Sequence, residues 1–272
     1  MKNIARKLIL IIKLLLIAII IITIYFLINQ IIQEKNQDNI YTELENLSIF
    51  DNVVTIENIE YEENSEKIYN KEEIQDIKNS QVIQNVDLQK LYNINTDIIG
   101  WIQIDNTNIN YPVMQNGEFY LNKDFYKKSS SYGIPFLASY CNIQNSDNLI
   151  IFGHHMKNHK MFADLENYKS ESYYNNHKTI KFYTLENGKT LLNTYEVIIA
   201  FKTVAYSEEG FQYHTFYKAS NEKEYNDYIS KCKELELYDT GKTAKYGEKL
   251  ITLSTCEYSQ MNGRMVIIAK KI

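Results

Sequence analysis

The sequence predicts a mainly β protein: a closed or nearly closed barrel of eight strands with a few helical additions, carried behind one hydrophobic helix. Three observations predict it. Short runs rich in β-branched and aromatic residues, punctuated by turn signals such as Asn187-Gly188, recur from Trp101 to the C-terminus. One segment, Asn221 to Leu237, repeats its apolar residues at helical spacing instead. Leu8 to Ile28 is an apolar run interrupted by one charge, Lys13. With 272 residues and 44% hydrophobic content, the chain can bury one sizeable core.

Taken in order, Leu8 to Ile28 spans 21 residues. A helix rising about 1.5 Å per residue crosses a hydrocarbon core of roughly 30 Å over such a length. Lys2, Arg6 and Lys7 precede it and the following sequence is acid-rich, so the positive-inside rule places the N-terminus in the cytoplasm and the rest outside. The apolar run is long and no small-x-small site follows, which favours a retained anchor over a cleaved signal. Residues 1–32 are thus expected to be the cytoplasmic tip and transmembrane anchor, 33–80 a polar acidic spacer, and 81–272 the globular domain. Asp38 to Ser80, with Glu57, Glu60, Glu62, Glu63 and Glu66 close together, reads equally as a spacer or as a solvated helix packed on that domain.

The expected strands are Trp101–Ile104, Ile109–Val113, Gly133–Ala138, Asn148–Phe152, Thr179–Thr184, Thr190–Phe201, Lys249–Thr255 and Arg264–Lys270. Helices are expected at Val82–Tyr92, near Met161–Tyr168 and at Asn221–Leu237. In the last, Tyr225, Tyr228, Ile229, Cys232 and Leu235 make the apolar face, and Asn221 with Glu224 forms a capping box.

Charge excludes one class of partner. Without Lys2, Arg6, Lys7 and Lys13 the formal net charge of -5 becomes -9, and no segment supplies the basic patch that nucleic acid requires. Three cysteines argue against a disulfide framework. Cys232 reads as a core residue of its helix; a Cys141 to Cys232 bridge is open, but no spacing favours it. No HExxH or paired-cysteine pattern supports a metal site, so neither metal nor cofactor is expected.

The chemistry-bearing residues lie at strand ends. Thr252-Leu253-Ser254-Thr255-Cys256 brings a thiol to the point where an apolar strand yields to a polar turn, and the next strand returns Arg264 toward it across seven residues. Asn148-Leu149-Ile150-Ile151-Phe152-Gly153-His154 ends another apolar strand in a histidine, the base a cysteine nucleophile needs from a distant part of the fold. His155 should point elsewhere, because neighbours on extended chain alternate sides. His159, His177 and His214 lie in polar surroundings and read as exposed loop residues. Ser254, two residues before Cys256, is expected on the same strand face, where it either touches substrate or serves as an ordinary strand serine. Glu257 is an acidic turn residue and receives no role.

Together these motifs resemble the sortases, and most closely class B, on Gly153-His154-His155-Met156 through Met161-Phe162-Ala163-Asp164-Leu165, Ile99-Gly100-Trp101-Ile102, Tyr111-Pro112-Val113 and Leu237-Tyr238-Asp239-Thr240-Gly241. The similarity spans roughly residues 85 to 272. It implies an eight-stranded sortase-type barrel with an N-terminal helical extension and a helix inserted before the cysteine strand. It also implies a cysteine transpeptidase with Cys256 as nucleophile, His154 as acid and base, and Arg264 holding the substrate and the oxyanion. The implied substrates are secreted proteins bearing a C-terminal sorting signal of Asn-Pro-x-Thr or related Pro-x-Thr type, cleaved after Thr; the implied acceptor is a peptidoglycan precursor amine. A pilin-polymerising sortase is disfavoured because no Asp-Pro-aromatic lid is evident. A papain-like hydrolase would require the cysteine before the histidine.

Overall fold

The computed structural model describes residues 2–48, 87–205 and 210–272. The acidic cluster Glu57 to Glu66 and the first residues of the helix expected at Val82 lie outside the described residues. Helix α1 (Lys2–Ser48) runs unbroken for 47 residues. From Ile9 it is long and apolar enough to cross a membrane, judged by length and composition. It also continues into the segment expected as spacer, since Gln33 to Ser48 contains neither Gly nor Pro to stop it.

The chain forms two compact units, Met1–Glu43 and Leu44–Ile272. In the second, Leu44 is fully buried, and Glu45 accepts a hydrogen bond from the Asn110 amide at 3.0 Å. Helix α2 (Leu88–Ile94) starts at Asp87, whose side chain accepts the N–H of Gln89 at 3.0 Å, as an N-cap should.

The strands are β1 (Ile98–Gln103), β2 (Asn110–Met114), β3 (Phe136–Leu137), β4 (Asn148–Phe152), β5 (Thr179–Glu186), β6 (Lys189–Val204), β7 (Leu250–Cys256) and β8 (Gly263–Lys271). They close into a barrel in the order β1-β2-β3-β4-β7-β8-β6-β5, with β5 returning to β1. Pairing is antiparallel except for β2 with β3 and β4 with β7.

Three expected elements differ. The run Gly133–Ala138 pairs only at Phe136–Leu137, because Gly133 sits at φ 57 and Pro135 has no N–H for a ladder. The helix near Met161 is a 3₁₀ helix at Ala163–Lys169, followed directly by a short helix α3 (Glu171–Asn176) that the sequence reading did not anticipate. Strand β7 extends through Cys256, so the cysteine is the last strand residue rather than the first of the turn.

Two apolar clusters divide the residues by strand face. One takes a side chain from every strand, among them Ile102, Val113, Leu137, Ile151, Phe182, Val197, Leu253 and Ile267, and fills the barrel. The other sits against the outer face, where Leu250, Val266 and Ile268 meet helix α4 (Glu222–Glu234) through Tyr225, Tyr228, Ile229 and Cys232. The Asn221 side chain caps α4 by accepting the Glu224 N–H at 3.0 Å, while the Glu224 carboxylate reaches back to the N–H of Ser220 at 2.8 Å, one residue earlier than in a standard capping box.

All three cysteines are free. Burial pushes the Cys232 thiol up to about 12 and Cys141 up to about 11, so both are unreactive. Cys232→Ala should cost about 1 kcal/mol of stability through a small cavity. Its catalytic rate should be unchanged; chemical denaturation and peptide turnover on the same preparation check both expectations.

Candidate active site

The parallel pairing of β4 with β7, from Asn148↔Leu250 to Phe152↔Ser254, brings two carboxyl-terminal strand ends side by side. Parallel neighbours need a long crossover. Here β5, β6 and α4 supply it. Gly153 donates its N–H to the Ser254 carbonyl at 3.1 Å, and the Thr255 hydroxyl donates to the Gly153 carbonyl at 2.8 Å, across 102 positions of sequence. A Cβ at Gly153 would lie 2.6 Å from the Phe162 ring, so only glycine fits before His154. The Phe162 N–H then fixes the His154 carbonyl at 2.8 Å.

The His154 ring has its Nε2 2.6 Å from the Leu121 carbonyl. A carbonyl only accepts, so Nε2 carries the proton in this bond and Nδ1 is left for proton exchange. Cys256 pairs in register with Arg264 on β8. Opposed residues share a sheet face with Cβ atoms about 5 Å apart. The Arg264 Nη1 donates to the Gly263 carbonyl at 2.9 Å.

His154, Cys256, Arg264 and Ser254, all singled out from sequence, line one groove of about 370 Å³. Ser254 is on the Cys256 face as expected, but it is almost fully buried and its Oγ lies 2.6 Å from the Tyr213 hydroxyl. Sequence reasoning missed other residues that line the groove, Leu121, Tyr140 and, from the 3₁₀ turn Tyr213–Thr215, Tyr213 and His214. His214, expected in an exposed loop, instead lines the groove and is half-buried. Burial, and then the Arg264 guanidinium, hold its ring below the ordinary imidazole value, so it presents a neutral imidazole near neutral pH. His177 is also half-buried, stacked on Tyr173 with ring centroids 3.9 Å apart, while His159 is exposed as expected.

Beneath the cysteine turn lies a second polar cluster. His155 places Nδ1 3.0 Å from the Cys256 carbonyl and Nε2 3.2 Å from a Glu166 carboxylate oxygen. Glu257 is buried and takes Lys169 Nζ at 2.5 Å and the Ser259 hydroxyl at 2.6 Å. Burial alone would raise its carboxyl, but the Lys169 and Ser259 hydrogen bonds and the lysine charge outweigh it and bring the value to about 2. Among the described residues, no group of three or more His, Cys, Asp or Glu is disposed to hold a metal ion.

A strand-end thiol, an arginine opposite it and an imidazole just past the adjoining parallel strand make a unit suited to acyl transfer by a cysteine. Residues 102–272 match the Sortase domain family. The chain belongs to the sortase family, class B. This sortase is 33% identical over 192 residues to sortase B of Staphylococcus aureus (strain NCTC 8325 / PS 47), covering 68% of this chain and 74% of that one. It is equally similar, at 33%, to sortase B of Listeria monocytogenes serovar 1/2a, covering 68% and 73%. Its fold superimposes on a Staphylococcus aureus sortase B–substrate complex with a TM-score of 0.61 and 31% identity, over 68% of this chain and 84% of that chain. This sortase is therefore a cysteine transpeptidase.

The Glu257 pair yields a pH prediction for this sortase. Its folded-state carboxyl value lies below the ordinary 4.5, so the stabilisation is complete above about pH 4.5 and fades as pH falls toward 2. Glu257→Gln should cost about 2 kcal/mol at pH 7, and the variant should converge with the wild type in acid. Urea melts at several pH values test this; a pH-independent difference would contradict it.

Proposed function

We propose that this sortase cleaves a Pro-x-Thr-type C-terminal sorting signal after Thr and joins the secreted protein to a peptidoglycan precursor amine. The observation carrying the reading is the shared groove of Cys256, His154 and Arg264. Cys256, as thiolate, attacks the Thr carbonyl carbon. The bond to the following residue breaks as His154 protonates the leaving amine, and a thioacyl enzyme remains. The incoming amine attacks that carbonyl, His154 accepts its proton, and the thiolate leaves with a new amide formed. Arg264 is suited to hold the substrate backbone and the oxyanion, since guanidinium stays charged and presents several donors. Ser254 is proposed to act on substrate through the wall it shares with Tyr213.

That a related sortase B was solved as a substrate complex supports reading this groove as a substrate site. The apolar length of α1 supports anchoring, and Arg6, Lys7 and Lys13 toward its start favour a cytoplasmic N-terminus with the catalytic unit outside the cell.

Incubation with a panel of Pro-x-Thr peptides, read by mass, tests the specificity; cleavage elsewhere than after Thr would sink it. Cys256→Ala should abolish cleavage and covalent capture while the protein stays folded, because the half-buried thiol contributes little packing. Arg264→Lys should retain less than about a tenth of the activity, as an ammonium cannot reproduce the fork.

A further expectation separates transfer from hydrolysis. Adding a wall-type amine should yield a ligated product and accelerate turnover if water deacylates the enzyme slowly. Rates indifferent to amine concentration, with hydrolysed peptide alone, would replace the transpeptidation route with proteolysis.

A further inference from the structure

His155 faces two acceptors. The Cys256 carbonyl and the Glu166 carboxylate have no proton to give, and a neutral imidazole has one N–H. Nδ1 lies 3.0 Å from the Cys256 carbonyl and Nε2 3.2 Å from the Glu166 carboxylate, so each contact is a hydrogen bond when the nitrogen that makes it carries the proton. The ring is enclosed: its side chain is 10% exposed, the Tyr258 ring lies 5.0 Å away, and the Tyr258 hydroxyl donates to the His155 carbonyl at 3.0 Å. The other charged groups at this place are Lys169, which bridges Glu166 at 2.6 Å to Glu257 at 2.5 Å, and Lys202, 3.8 Å from Glu257. Residues on both sides of the Cys256–Glu257 peptide are therefore tied to the loop and 3₁₀ helix that follow β4.

We propose that His155 is a positioning residue for the nucleophile: bridging the Cys256 carbonyl to Glu166, it fixes the last peptide of β7 and so the direction of the thiol. The inference rests on the reading of Cys256 as nucleophile. His155 does not enter the groove and exchanges no proton with substrate. It acts on rate by holding the backbone from which the thiol projects, where small misplacement is costly.

The test compares His155→Asn, whose amide replaces the donor to the carbonyl, with His155→Phe, which keeps a ring against Tyr258 but has no donor. Both are made in the full-length protein purified in detergent. His155→Phe should lower kcat for peptide cleavage about tenfold with KM within about twofold, and His155→Asn should recover most of that loss. The rate of Cys256 alkylation by iodoacetamide, located by mass, should follow the same order. Equal kcat in the two variants, or a rise in KM at unchanged kcat, would overturn the proposal. Should His155→Phe fail to fold, Glu166→Gln carries the test: kcat should fall severalfold, and a wild-type kcat would refute the bridge. If the wild type cleaves no sorting peptide, the transpeptidase assignment falls, while the alkylation series still decides on His155.

Discussion

The parallel pairing of β4 with β7 is the constraint on which the site depends. It is the step that joins Gly153-His154 to Thr255-Cys256, and a slip of one residue would turn the thiol to the barrel interior. Side chains pin the register at both ends. At the start, the buried Asn148 amide donates to the Phe216 carbonyl at 2.9 Å and accepts the Thr252 hydroxyl at 2.8 Å. At the other end, the Thr255 hydroxyl bonds the Gly153 carbonyl. A buried polar group left unpaired costs about 1–3 kcal/mol, so each alternative register is penalised at two points as well as by loss of apolar burial.

That arrangement also explains why the groove is on the outer face. Ile251 and Leu253 point into the barrel, and Leu250, Thr252, Ser254 and Cys256 follow the opposite alternation. The outer face is covered by α4 beside Leu250 and by the Tyr213 turn beside Ser254. Cover ends at Cys256, which is half-buried. The groove is the place where the outer apolar cluster stops.

The residues legible from sequence were those whose placement follows from a strand and its end. The alternation of Leu250 to Cys256 gave the face of Ser254 and Cys256, and hairpin logic gave Arg264. His154 was legible because an apolar strand delivers it. His214 was not, since its neighbours Gln212 and Thr215 are polar and only tertiary packing turns that segment over the groove. Likewise, alternation correctly turned His155 away from the groove, but it said nothing of what the far side holds: there the ring meets the backbone of Cys256 itself. The 3₁₀ geometry of Ala163–Lys169 was hidden for a similar reason. Its side chains recur at spacings compatible with either helix, and the positive φ values of His159 and Met161 just before it come from the loop's packing.

Glu257 poses the remaining electrostatic question, since it sets a buried negative charge directly after Cys256 at the end of β7. A unit charge about 4 Å away, at an effective dielectric constant near 20, is worth roughly 4 kcal/mol. Two features remove that penalty. Successive strand residues point to opposite faces, so Glu257 turns toward the 3₁₀ helix and away from the groove. Lys169 and Lys202 then neutralise it, and Glu166 is likewise held by Lys169 and His155. With both carboxylates engaged below the sheet, the residue paired opposite Cys256 is the cationic Arg264. Acidity beside Cys256 is thus tolerated because the strand's own alternation moves it to a face where cations await it.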